Sequence, residues 1–301
     1  AAARHALPPA MAQTVVLLTA PSRPTLDPAA VRALQGAWGG GAARWLAPDL
    51  AVEFDVAHLP GNRWEVWAEF QKLGIDLCVV PAAGRRKRML IADMDSTMIG
   101  QECIDELADI AGVGAQVKEI TARAMNGELG FEGALRERVA LLAGLEAGVV
   151  GEVLERRITE APGGRTLVAT MRAHGAHSLL VSGGFTAFSG PVAARLGFDA
   201  HQANELGIEG GRLTGTVGAP ILGRQAKVAA LEATTARLGL AADDVIAVGD
   251  GANDLGMLAR AGMGVALHAK PAVAAECDLR VQHGDLTALL YLQGYAADSF
   301  A

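Results

Sequence analysis

Cysteine is scarce in this 301-residue chain: Cys78, Cys103 and Cys277 are an odd, scattered trio without Cys-x-x-Cys spacing. Neither a disulfide framework nor a zinc site can be built on them, and they read as reduced thiols of a cytoplasmic protein. No apolar run approaches the roughly 18 residues that span a bilayer. The N-terminus lacks a charged segment followed by an apolar one, so neither membrane insertion nor secretion is expected. Positive charge is also sparse. Against 33 acidic residues stand 26 Lys and Arg, a net charge of −7, which argues against a nucleic-acid partner because phosphate backbones demand a basic face. The one dense basic run, Arg85-Arg86-Lys87-Arg88, reads as a solvated linker. A Gly-x-x-x-x-Gly-Lys-Ser/Thr loop is missing, and the glycine-rich stretch at Gly249 puts Asp254 where a dinucleotide fingerprint needs its last glycine, which excludes a nicotinamide site.

Aromatic residues are few and unevenly placed. All four tryptophans, Trp38, Trp45, Trp64 and Trp67, precede residue 68, and both tyrosines follow residue 290. With a length that suits about two domains, this asymmetry predicts a separate N-terminal domain over residues 1–84. Its pattern reads strand (14–19), helix opened by Asp27 and Pro28, hairpin (43–56), helix with a capping box at Asn62 and Glu65, and strand (76–80). That βαββαβ order is ferredoxin-like and resembles the small amino-acid-binding ACT domains. A dimerisation or packing module accounts for it equally well, and a homodimer stays open. The tryptophans read as core and interface residues.

The rest of the chain, residues 85–301, repeats one theme: an apolar strand running into polar residues. Met89-Leu90-Ile91-Ala92 ends in Asp93-Met94-Asp95-Ser96-Thr97, a pair of carboxylates at the carboxyl end of a buried strand, where an open α/β sheet exposes its site. Such a pair asks for a cation. Ser178 to Val181 leads into Ser182-Gly183-Gly184 before a helix over 185–196, which predicts an anion site at a helix start. Lys227 falls in a helix over 225–238. Val245 to Val248 leads into Gly249-Asp250-Gly251-Ala252-Asn253-Asp254. A carboxylate can attack phosphorus if a divalent metal offsets the repulsion and a neighbour protonates the leaving oxygen.

These four segments, in this order, resemble the haloacid dehalogenase-like phosphohydrolases over about residues 88–290. The fold implied is α/β, a doubly wound Rossmann-like parallel sheet, with a helical cap at about 101–159. Periodic apolar patches there read as amphipathic helices that form a lid, and glycine-rich residues 203–218 read as a β-hairpin of the core domain. Within that superfamily, Asp93 to Glu102, Ile120 to Gly127 and Phe131 to Val139 closely resemble the phosphoserine phosphatases. The resemblance gives Asp93 as nucleophile and Asp95 as acid and base, Glu102 for a substrate ammonium, Arg138 for its carboxylate, and Met125 and Phe131 as apolar pocket wall. Ser182, Gly183 and Lys227 would cradle the phosphoryl group, with Asn253 beside them. Mg²⁺ would sit on Asp93, the Asp95 carbonyl and Asp250, with Asn253 and Asp254 behind. O-phospho-serine, with an ammonium, a carboxylate and a phosphate, calls for this set of one acid, one arginine and one cationic cradle. Two alternatives remain: transfer of the phosphoryl group to homoserine, and an amino-acid sensor with a vestigial site. His174, His177 and His268 read as structural. Because every site residue lies beyond Leu90, removal of residues 1–84 is expected to leave the chemistry intact.

Overall fold

The computed structural model describes residues 13–125 and 127–301. The N-terminal unit consists of β1 (Gln13–Leu18), α1 (Pro28–Ala37), β2 (Arg44–Ala47), β3 (Ala51–Val56), α2 (Arg63–Lys72) and β4 (Asp76–Pro81). Its antiparallel sheet has the order β2-β3-β1-β4, the ferredoxin-like arrangement. The α1 cap forms as expected, with the Asp27 carboxylate accepting from the Ala29 N–H at 2.7 Å. The expected capping box does not. Asn62, at φ −92° and ψ 19°, makes no side-chain cap bond, because an N-cap side chain reaches the first helical amides from extended backbone.

Strand β1 explains how this unit is held. Its side chains alternate between two faces: Val15 and Leu17 pack among Val31, Leu34 and Phe54 under the helices, whereas Val16 and Leu18 join the core of the second unit. Both faces are buried, so the docking is a continuous apolar core. Polar anchors pin it. Asp76, fully buried, accepts from the amides of Gln282, His283 and Gly284 at 2.8 to 2.9 Å. The Arg280 guanidinium lies 3.9 Å from the Trp64 ring centre and 5.1 Å from that of Trp67. Arg85 corrects the reading of the basic run as a solvated linker. It is buried, donates to Glu53 at 2.6 Å and to the Leu292 carbonyl at 3.0 Å, and so needs its partners to offset desolvation.

This packing ties residues 1–84 to the stability of the second unit. Their removal would bare the face that Val16, Leu18 and Val80 cover and strip Arg85 of its carboxylate. A chain starting at residue 85 is therefore expected to aggregate, measured as loss of soluble yield and a lower thermal midpoint. A truncated protein as stable as the whole chain would refute a shared core.

The second unit begins with β5 (Met89–Ala92), followed by α3 (Cys103–Ile110), α4 (Gly114–Met125), α5 (Phe131–Ala140) and α6 (Val149–Arg156). Then come α7 (Gly164–Ala173), β6 (His177–Phe185), α8 (Thr186–Leu196), β7 (Ala200–Asn204), β8 (Leu206–Glu209), β9 (Arg212–Val217) and α9 (Arg224–Leu238). The chain closes with β10 (Val245–Gly249), α10 (Leu255–Arg260), β11 (Met263–Leu267), α11 (Pro271–Ala274), β12 (Leu279–Val281) and α12 (Ala288–Leu292). Six strands form one parallel sheet in the order β12-β11-β10-β5-β6-β7. Strand β5 is central and entirely buried, so the chain leaves it into the crevice between two neighbours.

Helices α3 to α6 interrupt the sheet directly after β5, as the sequence predicts. The hairpin of β8 and β9 belongs elsewhere than expected. It is not part of the main sheet but leans on the insert, with the Gly144 N–H donating to the Leu213 carbonyl and the Leu213 N–H to the Leu145 carbonyl, each at 2.8 Å. Gly215 allows the contact: at φ +79°, a Cβ there would lie 2.8 Å from that of Ala143. Among the described residues, no helix is long and apolar enough to cross a membrane.

Candidate active site

Strand β5 delivers Asp93 into the crevice, its N–H still paired with the Val248 carbonyl of β10 at 3.0 Å. The carboxylate is buried and accepts from the Lys227 ammonium at 2.5 Å, which also reaches Asp254 at 2.7 Å. Lys227 sits in the first turn of α9, with 2% of its surface exposed. Burial alone would lower its pKa, but the two carboxylates outweigh that and hold it above the ordinary lysine value. Asp93 is pushed up by burial, with Lys227 pulling the other way. The phosphate cradle expected of Lys227 is thus also a tether for Asp93.

Asp254 is sealed from solvent. One oxygen takes Lys227 and the other accepts the amides of Asp250 and Gly251, each at 3.1 Å. Asp93, Asp250 and Asp254 bring one oxygen each within 4.8 Å of one another, yet only Asp93 and Asp250 keep an oxygen free of these bonds. The all-oxygen character of the set fits a small hard cation, with Asp254 ordering the loop behind it. Asp250 itself accepts from the Thr97 hydroxyl at 2.7 Å, and its pKa is raised to about 6, chiefly by burial. Through this bond Thr97, the last residue of the Asp93 motif, fixes the Asp250 carboxylate.

Asp95 faces the same crevice and accepts weakly from the Cys103 N–H at 3.4 Å. Burial, reinforced by the charge of Glu102, raises its pKa to about 7. A carboxyl that titrates there can both give and take a proton near neutral pH.

Ser182, Gly183 and Gly184 lie opposite, at the end of β6 and directly ahead of α8, whose N-cap is Phe185. The Ser182 hydroxyl accepts from the Gly184 N–H at 2.8 Å, leaving its own proton to donate. Gly184 is needed for a close approach, since a Cβ there would lie 3.0 Å from both Asp95 Oδ2 and Ser182 Oγ.

The insert closes the other side. Phe131 lies over two glycines, 3.2 Å from the Cβ positions of Gly183 and of Gly223. Arg138, on the same helix α5, donates to the Ala134 carbonyl at 3.3 Å and the Thr121 hydroxyl at 3.5 Å. Glu102 accepts from the Ser96 hydroxyl at 2.6 Å. A cavity of about 170 Å³ is lined by Asp93, Asp95, Glu102, Phe131, Arg138, Ser182, Gly183, Asp250 and Asn253. Ile104 of α3 and Leu135 of α5, apolar residues on the inner faces of their helices, also line this cavity. The Met125 side chain lies outside the described residues.

Residues 90–259, more than half of the chain, match the family model described as haloacid dehalogenase-like hydrolase. The chain belongs to this family. This haloacid dehalogenase-like hydrolase is 43% identical over 265 residues to the phosphoserine phosphatase of Streptomyces coelicolor, an alignment covering 84% of this chain and 64% of that one. It therefore spans less than two thirds of that relative's length. Among solved structures, the unliganded probable phosphoserine phosphatase of Vibrio cholerae superposes with a TM-score of 0.76 at 31% identity, over 95% of this chain and 88% of that one. A phospho-aspartyl intermediate analogue of phosphoserine phosphatase gives a TM-score of 0.64 at 38% identity, over 68% and 98%.

Proposed function

We propose that this hydrolase cleaves O-phospho-serine to serine and inorganic phosphate through an aspartyl-phosphate on Asp93, as a cytoplasmic step of serine synthesis. The observation that carries the reading is one small cavity with a carboxylate pair, buried Asp93 and half-buried Asp95, on the sheet side and opposite charges, Glu102 and Arg138, on the insert side. That spread of charges matches a phosphate, an ammonium and a carboxylate on one small molecule.

In this reading Asp93 attacks phosphorus while Asp95 protonates the serine oxygen. Asp95 then takes a proton from the water that breaks the aspartyl-phosphate, a double duty suited to its pKa of about 7. The Ser182 hydroxyl, the Gly183 N–H and Lys227 hold the non-reacting phosphoryl oxygens, with Asn253 at the rim. Asp93, Asp250 and the Asp95 carbonyl would hold Mg²⁺, which would supply the positive charge that lets two anions meet. Phe131 narrows the approach to the cavity by resting on Gly183 and Gly223. The phospho-aspartyl analogue of the 38% identical phosphatase supports the covalent route. The complete set of carboxylates weighs against a vestigial site in a sensor protein.

The discriminating residue is Arg138. Its replacement, Arg138→Ala, is expected to lower kcat/KM for phosphoserine by about 2–4 kcal/mol, the scale of losing one partner of a buried charge pair. Turnover of phosphoethanolamine, which lacks the carboxylate, should hardly change. Phosphate release measured on both substrates, with homoserine added in parallel, decides the matter. Equal losses would remove the carboxylate assignment, and dominant transfer to homoserine would replace hydrolysis with phosphotransfer.

A further inference from the structure

Among the described residues, Ser96 stands out as one of three non-glycine residues with positive φ, at +56°. Left-handed backbone is unfavourable for serine and persists only where the surroundings hold it. At Ser96 it turns the chain so that the side chain meets Glu102 six residues on, Oγ donating to Oε1 at 2.6 Å. The same loop is fixed on its far side. The Ser96 N–H donates to the Gln101 carbonyl at 3.2 Å, and the Gln101 side chain both donates to and accepts from Thr159, each at 2.8 Å. The backbone that carries Glu102 is therefore anchored, and the direction of its carboxylate is left to Ser96.

That direction matters because Glu102 and Arg138 line one cavity of about 170 Å³ and carry opposite charge. Glu102 has three rotatable side-chain bonds and its charge, with that of Asp105, acts on the guanidinium; were the two cavity-lining groups to pair, the recognition charges would cancel each other. They do not pair here: Glu102 is bonded to Ser96, and Arg138 to the Ala134 carbonyl and Thr121. We propose that Ser96 is a positioning residue that holds Glu102 apart from Arg138, so that an empty pocket keeps one unpaired anion and one unpaired cation for a zwitterionic phosphate ester. This deepens the proposed function and rests on it.

The test compares Ser96→Ala and Ser96→Gly on two substrates: phosphoserine, and 3-phosphooxypropanoate, which keeps the carboxylate and lacks the ammonium. Glycine removes the hydroxyl while relieving the positive φ, so it covers the case in which alanine disturbs the loop. Both variants are expected to raise KM for phosphoserine about tenfold, as for a lost hydrogen bond to a charged group, with kcat little changed. KM for the amine-free ester should rise as well, because Glu102 would then occupy the guanidinium that takes its carboxylate, and in a Glu102→Gln background the Ser96 changes should add nothing. An unchanged KM for phosphoserine in both variants overturns the role. A rise that persists undiminished in the Glu102→Gln background overturns it too, because Ser96 would then support the loop rather than hold Glu102 away from Arg138. If the wild-type enzyme shows no preference for phosphoserine over the amine-free ester, the proposed function itself fails, and the positioning role with it.

Discussion

Asp93→Asn is expected to reduce phosphoserine turnover by on the order of 10³-fold or more, the scale on which loss of a covalent nucleophile acts. The fold should survive. The amide is nearly isosteric, its oxygen can still accept from the Lys227 ammonium, and Lys227 keeps Asp254 as a charged partner at 2.7 Å. Loss of activity without loss of structure is therefore the signature to look for, read from the initial rate of phosphate release beside the thermal midpoint. Preparations need a mass check for deamidation, which would regenerate aspartate. Retention of more than a few per cent of the wild-type rate would take Asp93 out of the nucleophile's position and leave Asp95 or Asp250 to explain the chemistry.

Replacement of Lys227 should show the opposite pattern, damaging stability and activity together. Lys227→Met keeps the length of the side chain but removes the only ammonium between Asp93 and Asp254, both of which are buried. Two carboxylates would then face each other in a poorly solvated site, and breaking a buried pair from one side costs about 3–5 kcal/mol. In a chain of this size that corresponds to a fall in Tm on the order of 10 °C. Added Mg²⁺ should recover part of the lost Tm, since a cation on Asp93 and Asp250 offsets the same repulsion. A variant with unchanged Tm would show that Lys227 contributes little to holding the two carboxylates together. The catalytic loss is expected to persist even where Mg²⁺ restores the fold, because the phosphoryl oxygens lose their ammonium.

Local pattern carried the reading of this chain a long way. The apolar runs before Asp93, Ser182 and Asp250 mark strands, and carboxylates at the end of a buried strand are costly enough to draw attention to a site. The N-cap at Asp27 and the amphipathic helices of the insert were legible for the same reason: each depends on residues close in sequence. Long-range partners were not. Arg85 looks like one more charge in a basic run until β3 brings Glu53 against it, and nothing near residue 85 reports that meeting. The hairpin at 206–217 carries the signal for two strands but none for the surface it leans on, because Gly215 meets Ala143 only after the chain has folded back. Lys227 could be named as a cation of the site from its place in the motif series. That it lies between Asp93 and Asp254, and so tethers Asp93, follows from the packing of α9 against one face of the sheet. Sequence by itself determined which chemical groups are present and which strand ends carry them, since those are properties of short segments. Tertiary structure alone decided which charges neutralise one another and which, like Glu102 and Arg138, are kept apart, because Coulomb energies and desolvation depend on distances that no spacing along the chain encodes.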